Sequence, residues 1–279
     1  MASYYLETRS DYQLWSPRLN MHFGFWRPGV NPADLEAMLE QMNVEVISRL
    51  GLGGHDAPVV ADLGCGAGTV ARTLARQVPG ARPIGLTAVA WQAAQAPRLA
   101  RAEAEPCPPI VLGDYTAAPF RTASFDGVYA VESSCYAPAL AKRALLAEMA
   151  RLTRPGGRMV VADAMLKRRR VRAPLTHAAH RALCRAWALD TLGHLGTFVD
   201  TAAAVGFRDI VVEDISFNVL PSVLHVPRVT LRFAAAALSR RGAGPGEARW
   251  RNAFAGFPLA LFAADPTAGG YYLISATRR

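Results

Sequence analysis

The sequence is poor in cysteine, and its few thiols lie far apart. Its 279 residues include four cysteines and no CxxC pair: Cys65, Cys107, Cys135 and Cys184. Zinc sites need closely spaced ligands, and disulfide-stabilised secreted folds need many cysteines. The pattern therefore argues against both, and we expect no metal site.

The sequence also lacks a hydrophobic run long enough to cross a bilayer. Its most apolar stretch, residues 253–264, contains Gly256 and Pro258, whereas a spanning helix needs about 20 apolar residues. Glu7 lies where a signal peptide would be apolar. We therefore expect a cytoplasmic protein whose contact with membranes is peripheral at most.

Charged residues are few, and most of the charge is basic. They make up 19% of the chain against 51% hydrophobic residues, and the net charge is +9. Much of the excess lies in the run 167–172 and in the pair Arg240 and Arg241. Such runs fit a solvated loop, an anionic substrate group or an acidic lipid surface. The high share of hydrophobic residues fits a filled core, an apolar substrate pocket or a subunit interface, so the oligomeric state stays open.

Aromatic residues are concentrated in the first 30 residues, ahead of a clear helix. They are Tyr4, Tyr5, Tyr12, Trp15, Phe23, Phe25 and Trp26. Asn31 is suited to cap the helix, apolar residues recur at helical spacing from Leu35 to Leu50, and Gly51 ends it. This segment predicts an aromatic flap followed by a helix.

From about residue 57, short apolar runs alternate with helical patterns. Strands are predicted at 59–62, 83–87, 110–114, 127–132, 158–163, 209–215 and 271–277, with helices at 69–77, 91–104 and 138–152. This alternation predicts an α/β fold: a doubly wound, Rossmann-like, seven-stranded and mostly parallel sheet.

The same pattern divides the chain into four parts. Residues 1–52 form an N-terminal lid and helix, 53–215 the Rossmann-like domain, 216–270 a helical insert that covers the substrate, and 271–279 the last strand. The insert is predicted because 216–270 is too long for a plain connection.

The strongest motif is an apolar strand that runs into three glycines and a helix. Asp62 ends the strand, and Gly64, Gly66 and Gly68 alternate around Cys65 and Ala67 in the loop. Glycines permit a tight turn and a close approach of the ligand to the backbone at a helix N-terminus. Asp62 suits a cationic ligand better than a pyrophosphate, and Gly68 falls one residue early for the dinucleotide fingerprint GxGxxG.

This motif resembles the first motif of the class I S-adenosylmethionine-dependent methyltransferases. The resemblance implies that Asp62, Gly64, Cys65, Gly66 and Gly68 bind the aminocarboxypropyl end of S-adenosylmethionine.

The end of the second strand resembles one branch of these enzymes. Sterol, tocopherol and cyclopropane-type lipid methyltransferases carry a Gly-x-Thr-x-Ser-x-x-Gln pattern, which Thr87 and Gln92 match while Val89 replaces the serine. The resemblance implies that Thr87 and Gln92 contact the cofactor, with Gln92 near the ribose. The alternative is that Gln92 only solvates or caps a helix start.

The third strand ends in Gly113, Asp114 and Tyr115. In the family this acid accepts a hydrogen bond from the adenine amino group, and the next residue lies on the ring. Residues 118–126 then resemble the family's Leu-Pro-Phe-x-x-x-Ser-Phe-Asp run into strand four.

Strand four ends in the sequence Glu-Ser-Ser-Cys-Tyr-Ala-Pro, residues 132–138. It resembles the Glu-Ala-Thr-Cys-His-Ala-Pro segment of sterol C-methyltransferases and, less closely, that of prenyl-diphosphate C-methyltransferases, with Tyr136 in place of the histidine. The resemblance implies methylation of an alkene carbon in a small hydrophobic substrate such as a prenyl diphosphate or another isoprenoid, in secondary metabolism.

Alkene methylation leaves a carbocation that must be stabilised and must then lose a proton. Aromatic faces stabilise such a cation, and a carboxylate takes the proton. We predict Glu132 as the base and Tyr136, Phe23, Phe25 and Trp26 as pocket walls. A slow proton loss would let the cation rearrange or cyclise. The alternative for Glu132 is a buried acid bonded to backbone amides or cofactor.

The N-terminal segment, with His22, Gly24 and Trp26, is similar to a His-x-Gly-x-Trp segment that folds over the cofactor in this branch. His22 is a candidate base for an oxygen or nitrogen nucleophile, and a structural histidine is the alternative. Methylation of oxygen or nitrogen in a small secondary metabolite, with His22 or His225 as base, is therefore the competing function.

Two further function classes fit the sequence less well. The residues after strand four differ from the Asn/Asp-Pro-Pro-Tyr/Phe segment of nucleic-acid amine methyltransferases, so we expect no nucleic-acid partner. A metal-dependent methyltransferase needs clustered acids, and only Asp163 is evident. The insert mixes apolar residues with Arg228 and Arg232, which fit an amphipathic roof or contacts with a diphosphate or a lipid head group.

Overall fold

The structure, a computed structural model, describes residues 2–239 and 247–279. The basic pair Arg240 and Arg241 lies outside the described residues. None of the helices in the described parts is both long and apolar enough to cross a membrane.

One mixed sheet organises the molecule. Its strands are β1 Val59–Leu63, β2 Arg82–Thr87, β3 Ile110–Leu112, β4 Phe125–Val131, β5 Thr153–Leu166, β6 Gly193–His194, β7 Phe207–Asp214 and β8 Gly269–Arg278. The order is β3-β2-β1-β4-β5-β8-β7, and the short β6 pairs with β5. Strands β1 to β6 pair in parallel, and β8 runs antiparallel between β5 and β7. The predicted doubly wound, mostly parallel fold is confirmed.

Eleven helices are described around the sheet. They are α1 Ala2–Trp15, α2 Leu35–Arg49, α3 Thr69–Gln77, α4 Ala90–Glu103, α5 Arg143–Leu152, α6 Pro174–Ala186, α7 Leu195–Ala204, α8 Ser216–Val223, α9 Val226–Ser239, α10 Glu247–Phe254 and α11 Gly256–Ala263. Short 3-10 turns cover Tyr115–Ala117 and Ser134–Tyr136.

Apolar residues fill both faces of the sheet, as expected for a parallel sheet covered by helices on each side. On one face, Leu146 of α5 and Phe198 of α7 belong to a buried cluster with strand residues such as Val128. On the other, Met42 of α2 and Leu74 of α3 belong to a second cluster. The layers leave the carboxyl ends of β1, β2 and β4 available for a site.

One local prediction was wrong. Helix α2 begins at Leu35, and its cap is Asp34, whose carboxylate accepts the Ala37 N–H at 3.1 Å. Asn31 instead accepts the Ala33 N–H within the preceding turn. The region predicted as an aromatic flap contains α1, a helix of 14 residues that the sequence pattern did not predict.

Candidate active site

Two adjoining cavities lie beyond the carboxyl ends of the parallel strands, where ligands bind in doubly wound sheets. One, of about 420 Å³, has walls from the glycine loop and the ends of β2 to β4; we name it the polar cavity. The other, of about 440 Å³, lies under α8 to α11 and has mostly apolar walls; we name it the apolar cavity. Among the described residues, five line both cavities: Tyr5, Met21, His22, Glu132 and Tyr136.

The glycine loop forms the floor of the polar cavity. Gly64 and Gly66 have φ of +84° and +55°, in the left-handed region that favours glycine. A Cβ on Gly64 would lie 2.4 Å from Ser133 Cβ, whereas the nearest atom to a Cβ on Gly66 is Met21 Sδ at 3.7 Å. Gly64 is therefore required by the protein's own packing, and Gly66 faces the cavity.

The other two loop residues have different positions. Cys65 lies on the cavity wall and is buried. Gly68 lies off the wall and serves as the N-cap of α3, with its N–H bonded to Cys65 O at 2.8 Å. Gly68 thus starts the helix, and its contact with the cofactor stays a prediction.

Asp62 is a buried carboxylate on the same wall. Its Oδ2 accepts a hydrogen bond from Tyr129 Oη at 2.9 Å, and burial raises its pKa to about 7. In the described part of the chain, no Lys, Arg or His side chain forms an ion pair with Asp62. A buried carboxylate without a cationic partner is costly, so this wall suits a cationic ligand group.

The residues predicted after β2 lie side by side in the polar cavity. Thr87 Oγ1 donates to Gln92 Oε1 at 2.8 Å and accepts the Val89 N–H at 3.2 Å. Gln92 Nε2 lies 3.5 Å from Met21 Sδ. The buried pair thus joins the start of α4 to the N-terminal segment.

Asp114 and Tyr115 lie on the wall at the end of β3. The Asp114 carboxylate accepts the Thr116 N–H and hydroxyl, each at 2.8 Å, which fixes its rotamer. Tyr115 Oη donates to Ser133 O at 2.8 Å. Both side chains are therefore oriented by the protein itself.

Glu132 lies where the two cavities meet. Its φ of +44° places it outside β4, and its Oε1 accepts the Phe23 N–H at 2.6 Å and the Tyr271 hydroxyl at 2.7 Å. Burial, with a smaller effect from Asp163, raises the pKa of Glu132 to about 8. The contacts leave Oε2 as the oxygen able to exchange a proton with a ligand.

His22 lies at the same junction. Its Nδ1 is 2.9 Å from Phe23 O, and because a carbonyl can only accept, Nδ1 carries the proton. Its Nε2 is buried and makes no hydrogen bond of standard geometry to the described residues, although the Asn43 side chain lies near the ring. Burial lowers the pKa of His22, opposed by smaller effects of Phe23 O and the Asn43 side chain, so the ring is neutral at neutral pH.

Tyr136 completes the junction. Its hydroxyl accepts a hydrogen bond from Tyr5 Oη at 2.8 Å, and the two ring centroids are 5.8 Å apart. The contact ties the loop after β4 to α1.

Only one of the three other predicted aromatic walls lies on a cavity. Phe23 lines the apolar cavity, whereas Phe25 and Trp26 line neither. The chain at Gly24 lies against α2, where Phe25 N–H bonds Met38 O at 2.8 Å, so the Phe25 ring enters the core. Trp26 packs edge-on against Phe217 at 6.1 Å. The prediction was wrong for these two residues.

Several residues on the apolar wall were missed from the sequence. They are Tyr5, Trp15, Asp163, Trp187 and Tyr271. The position of Asp163 at the end of a predicted strand was a usable signal, because ligands gather at such ends. Trp187 follows α6, which the sequence pattern did not predict.

The basic residues considered for a phosphate contact lie elsewhere. Arg228 and Arg232 are exposed and off the cavity walls. Of the Lys and Arg residues that the structure describes, Lys167 alone reaches the apolar wall, and its Nζ is 3.3 Å from Asp214 Oδ2. His225 Nε2 lies 2.9 Å from Pro32 O, away from both cavities, so its predicted role as a base is corrected.

The family comparison matches a methyltransferase domain to residues 60–157. This range runs from β1 to the start of β5 and contains Asp62, the glycine loop and Glu132.

Among curated proteins, three relatives are similar to this chain. Methyltransferase GfsG of Streptomyces halstedii is 29% identical over 205 residues, 73% of this chain and 71% of that protein. An O-methyltransferase of Pyrenophora dematioidea is 33% identical, over 52% of this chain and 54% of its own length. The 24-methylenesterol C-methyltransferase 2 of Arabidopsis thaliana is 30% identical, over 54% and 40%. The chain thus spans about half the length of the last two.

Solved structures share the fold. The [4+2]-cyclase SpnF aligns with a TM-score of 0.75 at 20% identity, over 99% of this chain and 96% of its own. Geranyl diphosphate C-methyltransferase from Streptomyces coelicolor A3(2) aligns with a TM-score of 0.72 at 17% identity, over 100% and 99%. At such identities the likeness establishes the architecture.

Proposed function

We propose that this chain, whose residues 60–157 match a methyltransferase domain, uses S-adenosylmethionine to methylate a small, neutral, hydrophobic molecule, an isoprenoid alkene, at carbon. One observation carries the proposal. A polar cavity and an apolar cavity meet at a carboxyl group, Glu132, with aromatic side chains beside it.

The polar cavity fits S-adenosylmethionine, which supplies an electrophilic methyl group on a sulfonium. Asp62 is the buried carboxylate that needs a cation, and the ligand's ammonium group would provide one. Gly66 leaves room for the ligand beside the backbone. Thr87 and Gln92 would contact the ribose, and Asp114 would accept from the adenine amino group.

The apolar cavity fits a neutral acceptor. Trp15, Phe23 and Trp187 belong to a wall on which Lys167, already paired with Asp214, is the one Lys or Arg among the described residues. A diphosphate group needs several charge-assisted donors. A neutral isoprenoid therefore fits this wall better than a prenyl diphosphate.

Carbon methylation would use the side chains at the junction in two ways. The alkene π electrons would form the new C–C bond as the S–CH3 bond breaks and S-adenosylhomocysteine leaves, and the neighbouring alkene carbon would be left as a carbocation. The faces of Phe23, Tyr136 and Tyr271 would stabilise it, each by about 0.5 to 2 kcal/mol. Glu132 would then take a proton from an adjacent carbon, which regenerates a double bond. A cation nearby favours the carboxylate form of Glu132 and so offsets its raised pKa.

A second candidate is methylation of an oxygen nucleophile, favoured by the neutral His22 ring at the junction of the two cavities. An acceptor hydroxyl in the apolar cavity would donate to Nε2 and lose its proton to it as the O–CH3 bond forms, the S–CH3 bond breaks and S-adenosylhomocysteine leaves. Nδ1 is already bonded to Phe23 O, which holds the ring in the required tautomer.

The test is to find where a labelled methyl group goes. The protein is incubated with methyl-labelled S-adenosylmethionine and a panel of farnesol, farnesyl diphosphate, a sterol, a phenol and an amine, and products are analysed by mass spectrometry and NMR. Label on a carbon of the neutral isoprenoid supports the proposal, and label on oxygen supports the second candidate. Turnover of the diphosphate alone would contradict the neutral acceptor. Cofactor binding without turnover of any acceptor would contradict both routes for these classes.

A further inference from the structure

Residues 16–22, which we name the strap, cover the polar cavity. Leu19, Asn20, Met21 and His22 lie on its wall. The strap rests on the first turn of α3, where Thr69 Oγ1 donates to Arg18 O at 3.0 Å. Whatever fixes the strap therefore also fixes Met21 and His22 at the junction of the two cavities.

The side chain of Arg18 fastens the strap to two helices. Its Nη2 lies 2.8 Å from both Glu103 Oε2, at the end of α4, and Glu105 Oε1, and its Nη1 lies 3.5 Å from Glu40 Oε2 in α2. The Arg18 side chain is 26% exposed, so solvent screens these pairs only in part.

The same cluster of charges reaches the glycine loop. Arg72 is buried, with Nε 3.2 Å from Glu105 Oε2 and Nη1 donating to Ala67 O at 2.8 Å. Arg76 pairs with both Glu40 and Glu105. Three arginines and three glutamates thus join the strap, α2, the end of α4 and the loop under the polar cavity.

We infer that Arg18 is a positioning residue that holds the strap closed over bound cofactor. Arg18 itself lies off both cavity walls, so it acts through Met21 and His22. The inference rests on the proposed function, because it assigns the polar cavity to S-adenosylmethionine. It makes cofactor affinity depend on a cluster of ion pairs, and therefore on salt.

The test measures binding of S-adenosylhomocysteine by calorimetry, without acceptor. Arg18→Met should weaken binding about fivefold to tenfold at low salt, the scale of one partly buried ion-pair cluster. At about 0.5 M NaCl the wild type should lose most of this advantage. Arg18→Lys, which keeps the charge, should recover part of it.

The matched control is Arg49→Met. Arg49 is similarly shielded, 21% exposed, and pairs with Glu45 and Glu213 away from both cavities. It should leave the affinity unchanged, and thermal unfolding without ligand should show whether the two variants lose similar stability. Wild-type affinity in Arg18→Met would overturn the inference alone. A wild type that binds no S-adenosylhomocysteine would overturn the proposed function with it.

Discussion

At the scale of single residues, Asp62 links cofactor affinity to pH. Its pKa is raised to about 7 by burial, and an ammonium group binds the ionised form. S-adenosylhomocysteine should therefore bind about tenfold more weakly at pH 6 than at pH 8, because about a tenth of Asp62 is ionised at the lower pH. Calorimetry across this range measures the slope.

The control for this prediction is Asp114→Ala, which also removes a carboxylate from the polar cavity. It should weaken binding, because the adenine amino group loses its acceptor, but the pH dependence should remain. Asp62→Asn should remove the pH dependence. A slope that survives in Asp62→Asn would assign it to another group.

Glu132 and His22 can be separated by conservative variants. Glu132→Gln keeps an oxygen that can accept from Phe23 N and Tyr271 Oη but removes the base. If carbon is methylated, this variant should lower kcat about 100-fold or more and leave S-adenosylhomocysteine affinity within about threefold.

For His22, Asn is the matched variant, because its amide can still donate to Phe23 O. If carbon is methylated, His22→Asn should lower kcat by less than about tenfold. If oxygen is methylated, His22→Asn should instead lower kcat more than Glu132→Gln does. Normal turnover in both variants would remove both residues as bases.

The site residues that could be predicted from the sequence were polar residues near the ends of predicted strands, where ligands bind in this fold. Asp62 lies at the end of an apolar strand, and Glu132 and Asp114 lie just beyond one, so the topology brings them to one edge of the sheet. The sequence could not show that Phe23 lines a cavity whereas Phe25 and Trp26 do not, because composition does not say on which side of an extended segment a ring lies. The contact of Gly24 with α2 decides it.

At the scale of elements, two glycines of the loop between β1 and α3 have different roles, one in packing and one in ligand binding. Gly64→Ala would place a Cβ 2.4 Å from Ser133 Cβ at a φ of +84°. It should lower the free energy of unfolding by about 2 to 4 kcal/mol through overpacking and backbone strain.

Gly66→Ala is the matched variant in the same loop. Its new Cβ meets nothing closer than Met21 Sδ at 3.7 Å, so the loss of stability should be about 1 to 2 kcal/mol, from backbone strain. Cofactor affinity should fall tenfold or more, because the methyl group occupies ligand space. Denaturant unfolding and calorimetry measure the two effects, and an unchanged affinity would contradict the cavity assignment.

Helices and strands could be predicted from the sequence where their buried positions are apolar and regularly spaced. Helix α3 was predicted to the residue, because an apolar strand and glycines define its start. Helix α1 buries Tyr4, Thr8 and Asp11 at helical spacing, and polar side chains on a buried face hide that pattern. Helix α6 was missed for the same reason, since His180 and Thr176 lie on its buried face.

At the scale of the whole molecule, two buried acids make the free energy of unfolding depend on pH and on bound ligand. Asp62 and Glu132 have pKa values raised to about 7 and about 8. In the unfolded chain both ionise near pH 4. Between these limits the folded state binds more protons, so its stability falls as pH rises, by up to about 1.4 kcal/mol per pH unit for each acid.

The clearest window for this effect is from pH 6.5 to pH 8. Below it, the lowered pKa values of buried His22 and His180 oppose the trend, because those groups favour the folded state as pH rises toward 6.5. Without ligand, we expect the free energy of unfolding to fall by about 2 kcal/mol across the window, or about 3 to 5 °C in Tm. Saturating S-adenosylhomocysteine should make the decrease in stability smaller, because its ammonium group pairs with ionised Asp62.

The control is the double variant Asp62→Asn, Glu132→Gln. The stability of this variant should depend little on pH with or without ligand, and a pH dependence equal to that of the wild type would place its origin elsewhere in the fold.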